Sequence, residues 1–221
     1  MPKKLISTCL AIATLAFATA SIASASPVLT HATGSVQATG TTLSAANVGE
    51  MLFTDTSGNI ITRCTSANLA WELTRNSGTA IESNITSASF TGTGTEGNCT
   101  GTFFSSPRFT MAVANGLPWC VRALSSMATN EAQIRGGKCS EAAREIRFAV
   151  DLGSITCLYA RSSTEPIVGT ITTDNAQGQD AVVHIERQLV KPVSTPFPCP
   201  EEELLDFSLT LSVGGTPAYF S

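Results

Sequence analysis

Leu205-Asp206-Phe207-Ser208-Leu209-Thr210-Leu211-Ser212 places a large apolar side chain at every second position and a polar one between. Successive side chains of an extended chain point to opposite faces, so this stretch reads as a strand with one buried and one wet face. The same period recurs upstream. Leu69, Trp71 and Leu73 alternate with Ala70 and Glu72; Phe109, Met111 and Val113 alternate before Asn115-Gly116; Ile146, Phe148, Val150 and Leu152 alternate before Gly153. Met51-Leu52-Phe53-Thr54 and the run Ile60 to Cys64 flank the turn-forming Asp55-Thr56-Ser57-Gly58-Asn59, and Asn76-Ser77-Gly78 turns the chain again. Short period-two runs punctuated by Gly and Asn are strands joined by tight turns. Helical pattern is confined to one or two turns within Ser140 to Arg147, with Ser140 as cap. Many strands without intervening helices predict an all-β fold, an antiparallel β-sandwich or barrel-like domain.

The N-terminus carries a different signal. Lys3 and Lys4 precede an apolar run from Leu5 to Ala20, and Ala23-Ser24-Ala25 is a small-x-small cleavage site. Residues 1–25 therefore read as a secretory signal peptide, because the run is too short and too rich in Ala and Thr to anchor in a bilayer. Cys9 lies too close to the lysines for a lipidation site and belongs to the signal. Residues 26–34 read as a loose leader and 35–221 as a single β domain, with two lobes divided near residue 125 as the alternative organisation. No membrane span is expected after cleavage, and the destination is secreted or extracellular. Loss of Lys3 and Lys4 makes the formal charge of −4 more negative by two units. The remaining basic residues are scattered singly, which excludes nucleic acid as a partner.

Six cysteines remain: Cys64, Cys99, Cys120, Cys139, Cys157 and Cys199. An even number in an exported chain predicts disulfides. No Cys-x-x-Cys pair is present, so the chain lacks the short-spaced thiolates of a metal site. Spacing alone leaves several connectivities open; we take the sequential one, Cys64 with Cys99, Cys120 with Cys139 and Cys157 with Cys199, as the expectation.

The chemistry-bearing residues are few. His31 lies in the leader, and His184 shares a strand face with Glu186 by the period of two. No Gly-x-Ser-x-Gly elbow supplies a placed nucleophile, so no catalytic set is assigned. Glu201-Glu202-Glu203 reads as a solvated cap on the last connection. The loop from Asp174 to Asp180 has oxygen ligands around Gly178 but lacks the ligand pattern of an EF-hand, and reads as a polar hairpin loop with calcium as the alternative. Asn84-Ile85-Thr86 and Asn98-Cys99-Thr100 match the glycosylation sequon. Leu117-Pro118-Trp119 reads as a strand start whose indole packs inward. No cofactor or metal is expected.

Between Cys64 and Cys139 the landmarks fall in a familiar order: Cys64-Thr65-Ser66-Ala67, then Asn84 to Gly92, then Cys99, then Asn115-Gly116-Leu117-Pro118-Trp119. This segment resembles the secreted PraB-type alkane-oxidation activator proteins, and also a broader set of secreted actinobacterial proteins. Cys120, Cys157, Cys199 and the long C-terminal part depart from that pattern. The resemblance implies an exported, non-enzymatic bacterial β protein of the cell surface, biofilm matrix or hydrophobic-substrate uptake. The expected function is accordingly that of a secreted, non-catalytic cell-surface or matrix protein, acting by adhesion or by contact with apolar material. The alternative is an extracellular hydrolase using His184 and Glu186 as its acid–base pair.

Overall fold

The computed structural model describes residues 28–31, 33–102, 108–111, 116–124, 130–151, 154–172, 181–194 and 199–220. Residues 1–25, expected to be a signal peptide, and the Asp174 to Asp180 loop lie outside them. Fifteen strands are found among the described residues: β1 (Leu29–His31), β2 (Thr42–Thr54), β3 (Ile60–Cys64), β4 (Ser66–Ser77), β5 (Ala80–Thr91), β6 (Thr100–Gly101), β7 (Arg108–Met111) and β8 (Trp119–Leu124) in the first half. The second half supplies β9 (Glu131–Gly136), β10 (Ile146–Asp151), β11 (Thr156–Arg161), β12 (Ile167–Thr172), β13 (Val182–Ser194), β14 (Glu203–Val213) and β15 (Thr216–Phe220). A single 3-10 turn, Thr95–Gly97, is the helical content of these residues. The fold is all-β, as the alternation predicts.

Eight strands close into an antiparallel barrel in the order β14-β2-β4-β5-β8-β9-β12-β13, with β13 returning to β14. Alternation decides which face is inside. On β4, Leu69, Trp71 and Leu73 are buried while Asn68 and Glu72 are exposed; on β14, Leu205, Phe207, Leu209 and Leu211 are buried. Met51, Leu69, Ile85, Trp119 and Ile167 meet inside and leave a residual space of about 20 Å³. That space admits a water at most, so the barrel is a packed core rather than a ligand cavity.

Two long strands bend at matching levels on either side of β14. In β2, Gly49 takes a φ of 76°, which its missing Cβ permits. Thr42–Ala46 before it pair with β4, and Met51–Thr54 after it pair with β3. In β13 the bend falls at Arg187, φ 46°, where the register against β14 shifts between Ile185 and Gln188. Val182–His184 pair with β12, whereas Lys191, Pro192 and Ser194 pair with β11. Strand β13 thus leaves the barrel and carries an extension, β11-β10-β7. Phe148 of β10 reaches into the barrel interior, edge-on to Trp119 at 5.2 Å and to Phe53 at 6.1 Å between ring centres. Such pairs add about 0.5–1.5 kcal/mol beyond area burial.

Three disulfides staple this arrangement: Cys64–Cys99, Cys120–Cys139 and Cys157–Cys199, with Cα–Cα distances of 4.5, 4.7 and 5.6 Å. This is the sequential pairing. The third ties β11 of the extension to the segment entering β14. Two expectations are corrected. Residues 29–31 of the supposed loose leader form β1, paired with β15, and Leu29 is buried with its amide held by Asn76 Oδ1 at 2.9 Å. Ser140 to Arg147 form no helix; Gly136 and Arg144 pair as a β-bridge, and a Cβ at Gly136 would stand 2.3 Å from the Glu145 carbonyl oxygen. Strands β8 and β9, on either side of residue 125, pair with each other, and one core cluster spans the barrel and β10.

Candidate functional site

His184 stands on the outer wall of the barrel, between the inward Val183 and Ile185. Its register sets it beside Thr170 of β12 and Ser208 of β14. The ring nitrogens are both engaged: Nδ1 lies 2.7 Å from Ser208 Oγ and Nε2 lies 3.0 Å from Thr172 Oγ1. A neutral imidazole has one donor and one acceptor, so one hydroxyl donates to the ring and the other accepts from it. Glu186 is exposed on the same strand, and no hydrogen bond or ion pair joins it to His184 among the described residues. A base needs a third group to fix its tautomer and charge. Here that place is taken by the Thr172 hydroxyl rather than a carboxylate, and the imidazole links three strands within a wall of small hydroxyls. Ser44 and Ser212 are 3.0 Å apart, and the Thr210 and Thr86 hydroxyls donate to the carbonyls of Ala46 and Ala70.

Glu203 overturns its expected role. Glu201 and Glu202 are exposed, but Glu203 is 1% exposed. Its parity matches that of Leu205 and Phe207, which turns it toward the core. There it lies beside the buried Tyr159, whose hydroxyl donates to the Pro200 carbonyl at 3.3 Å, while Glu203 Oε2 has no hydrogen-bond partner. Burial pushes the carboxyl up to about 7, opposed by the neighbouring Tyr159 hydroxyl, and pushes the Tyr159 phenol upward as well. Neither Glu203 nor Tyr159 lines the cleft on the extension.

A cleft of about 410 Å³, open to solvent, lies across the extension. Its register is simple: Arg147 of β10 is opposite Ala160 of β11, and Ala160 is opposite Lys191 of β13. Residues directly opposed on neighbouring strands share a face, so two long cationic side chains flank a short floor. Arg161 closes one side, donating from Nε to the Glu165 carbonyl at 3.0 Å and from Nη1 to the Leu189 carbonyl at 2.6 Å. Arg147 pairs with Glu145 at 3.1 Å. Pro192 and Val193 add aliphatic surface. The cleft offers cations, two carboxylates and apolar edges; neither His184 nor Ser208 lines it.

The fold places the other residues singled out in the sequence as follows. Trp119 is 2% exposed and packs inward as read. Asn84 is buried, with its Oδ1 accepting from the Cys139 amide at 2.9 Å, which places that sequon inside the fold. His31 lies in β1, opposite Ala218. Among the described residues no cluster of three or more His, Cys, Asp or Glu could hold a metal, and no helix is long and apolar enough to cross a membrane. Three disulfides suit an extracellular or periplasmic setting. The sequence had no means to reveal Arg147, Ala160 and Lys191 as one row, because period-two patterning gives each residue's face but not which strands pair. Comparison with protein-family models, with curated proteins and with solved structures finds no match to this chain.

Proposed function

We propose that this is a secreted, non-catalytic binding protein that engages a component of the bacterial cell surface or extracellular matrix through the cleft on its extension. One observation carries the reading: the cleft gathers charged and aliphatic side chains without a nucleophile–base pair, while the Ser208–His184 pair sits elsewhere on a convex wall. The packed barrel interior supports an external site rather than an enclosed one. The large apolar side chains exposed among the described residues are Val36, Val48 and Val193, on three separate segments. That pattern favours a polar ligand over apolar material, since contact with the latter calls for a contiguous apolar patch. The resemblance of the Cys64 to Cys139 segment to the alkane-oxidation activators agrees with a location at the cell surface.

The test has two arms. Purified mature protein should co-sediment saturably with cell-envelope or matrix fractions, and should turn over no member of an ester, peptide and glycoside panel. Turnover that disappears in His184→Ala would replace this reading with the hydrolase one.

A further inference from the structure

We propose that the cleft between β10, β11 and β13 binds an acidic polysaccharide, with sugar carboxylates seated on Arg147 and Lys191 across Ala160. The inference rests on the binding-protein reading and names its ligand class. The argument starts from the register. Arg147, Ala160 and Lys191 occupy one row on three adjacent strands, so the two cationic positions are about 10 Å apart at the backbone, two strand spacings of roughly 4.8 Å. Between them the Ala160 methyl leaves a floor low enough to seat a ring. Pro192 and Val193 offer aliphatic edges to the apolar face of such a ring.

The charges are arranged for an anion. The chain as a whole is acidic, with 17 acidic against 13 basic residues, yet three cations converge here. Neither Lys191 nor Arg161 has a carboxylate within ion-pairing distance among the described residues. Arg161 is held in place by two backbone carbonyls, so its charge is oriented before any ligand arrives. The Arg147–Glu145 pair is partly exposed and is worth little in water, so Arg147 can share its charge with a ligand.

The presence of Glu145 and Glu165 narrows the class. A duplex with one phosphate charge per about 1.7 Å would be repelled by them. A polyuronate has sparser acidic groups, and its hydroxyls can donate to both carboxylates. An extended peptide usually docks by adding to a free strand edge, but β11 is paired on both sides here, which leaves side chains alone to recognise a ligand.

The experiment is calorimetric titration of the mature protein with oligogalacturonate and with neutral maltooligosaccharide of matching length. Oligogalacturonate should bind and the neutral sugar should not. Lys191→Glu should weaken binding at least tenfold with an unchanged unfolding midpoint. Arg63→Glu, the same charge reversal at a surface pair with Glu50 that does not line the cleft, should leave affinity within twofold. Equal losses from both variants would overturn the site. Polyglutamate or single-stranded DNA binding as tightly as oligogalacturonate would overturn the ligand class. No binding to acidic sugars, with co-sedimentation on envelope fractions retained, would sink this inference and spare the proposed function; loss of both would sink both.

Discussion

The barrel and its extension are built from the same alternation but use it differently. On β4 and β14 of the barrel, apolar parity faces a closed interior and the outer parity carries mostly Ser, Thr, Asn and acidic side chains, so these strands have one dry and one wetter side. In β10 of the extension, Ala149 is buried along with Ile146, Phe148 and Val150, and the wet side is reduced to the cationic row. The barrel therefore provides stability with an outer wall of short hydroxyls, whereas the extension provides the concave, charged surface. Under the proposed function, stability and recognition are divided between a ring that closes on itself and a flap that the ring supports through β13.

If the flap is part of the same cooperative unit, the largest effects should come from the aromatic contact between them. Trp119→Ala in the barrel and Phe148→Ala in the flap should each destabilise by roughly 3 to 5 kcal/mol, as truncation of a buried ring does. Both should unfold in one transition when denaturation is followed by fluorescence and by far-UV dichroism. A second, earlier transition in Phe148→Ala would show the flap to be a separate unit.

Next in size is the covalent tie. Replacing Cys157 and Cys199 by Ala should cost roughly 2 to 4 kcal/mol and should raise hydrogen exchange in β10 and β11 more than in β4 and β5. Uniform loosening of both regions would erase the distinction drawn here. Thiol titration of the denatured, unreduced wild-type protein should find no free thiol among the six cysteines.

Glu203 tests the seam between the two regions by pH. In the fold its carboxyl keeps its proton up to about pH 7, against an ordinary value of 4.5. Between those values the native state binds the extra proton. Stability from this group is thus fully present below about 4.5 and is lost as pH rises through about 7, by up to about 3 kcal/mol. Glu203→Gln should flatten that part of the stability–pH curve and leave the variant more stable than wild type at pH 8. An unchanged slope would mean that the carboxyl is ionised within the fold.

The smallest effect belongs to the barrel's outer wall. His184→Ala removes two hydrogen bonds at a half-buried site and should cost about 1 kcal/mol. Envelope binding should be unaffected.

The fold was legible because side-chain period is a local property: Leu205 to Leu211, and Leu69 to Leu73, declare their faces without reference to any partner. The same parity, extended back two residues, would have turned Glu203 inward; grouping it with Glu201 and Glu202 as a charged run hid it. Closure into a barrel was less accessible, since it depends on β13 pairing with both β12 and β14 across long stretches of sequence. The bend at Arg187 was invisible, because an arginine with positive φ leaves no mark in composition. The cleft was hidden for the reason that register is hidden: Arg147, Ala160 and Lys191 are ordinary residues until three strands align them.

One consequence of the topology bears on self-association. An exposed strand edge offers unpaired amides and carbonyls to a second copy, which is how β proteins polymerise. Ring closure leaves the barrel strands without a continuous edge, and the sheet ends in β1 and β7, with β6 ending the β2–β3 branch. These are strands of 3, 4 and 2 residues. Among the described residues, each of these sheet ends offers few hydrogen bonds with which to template another chain.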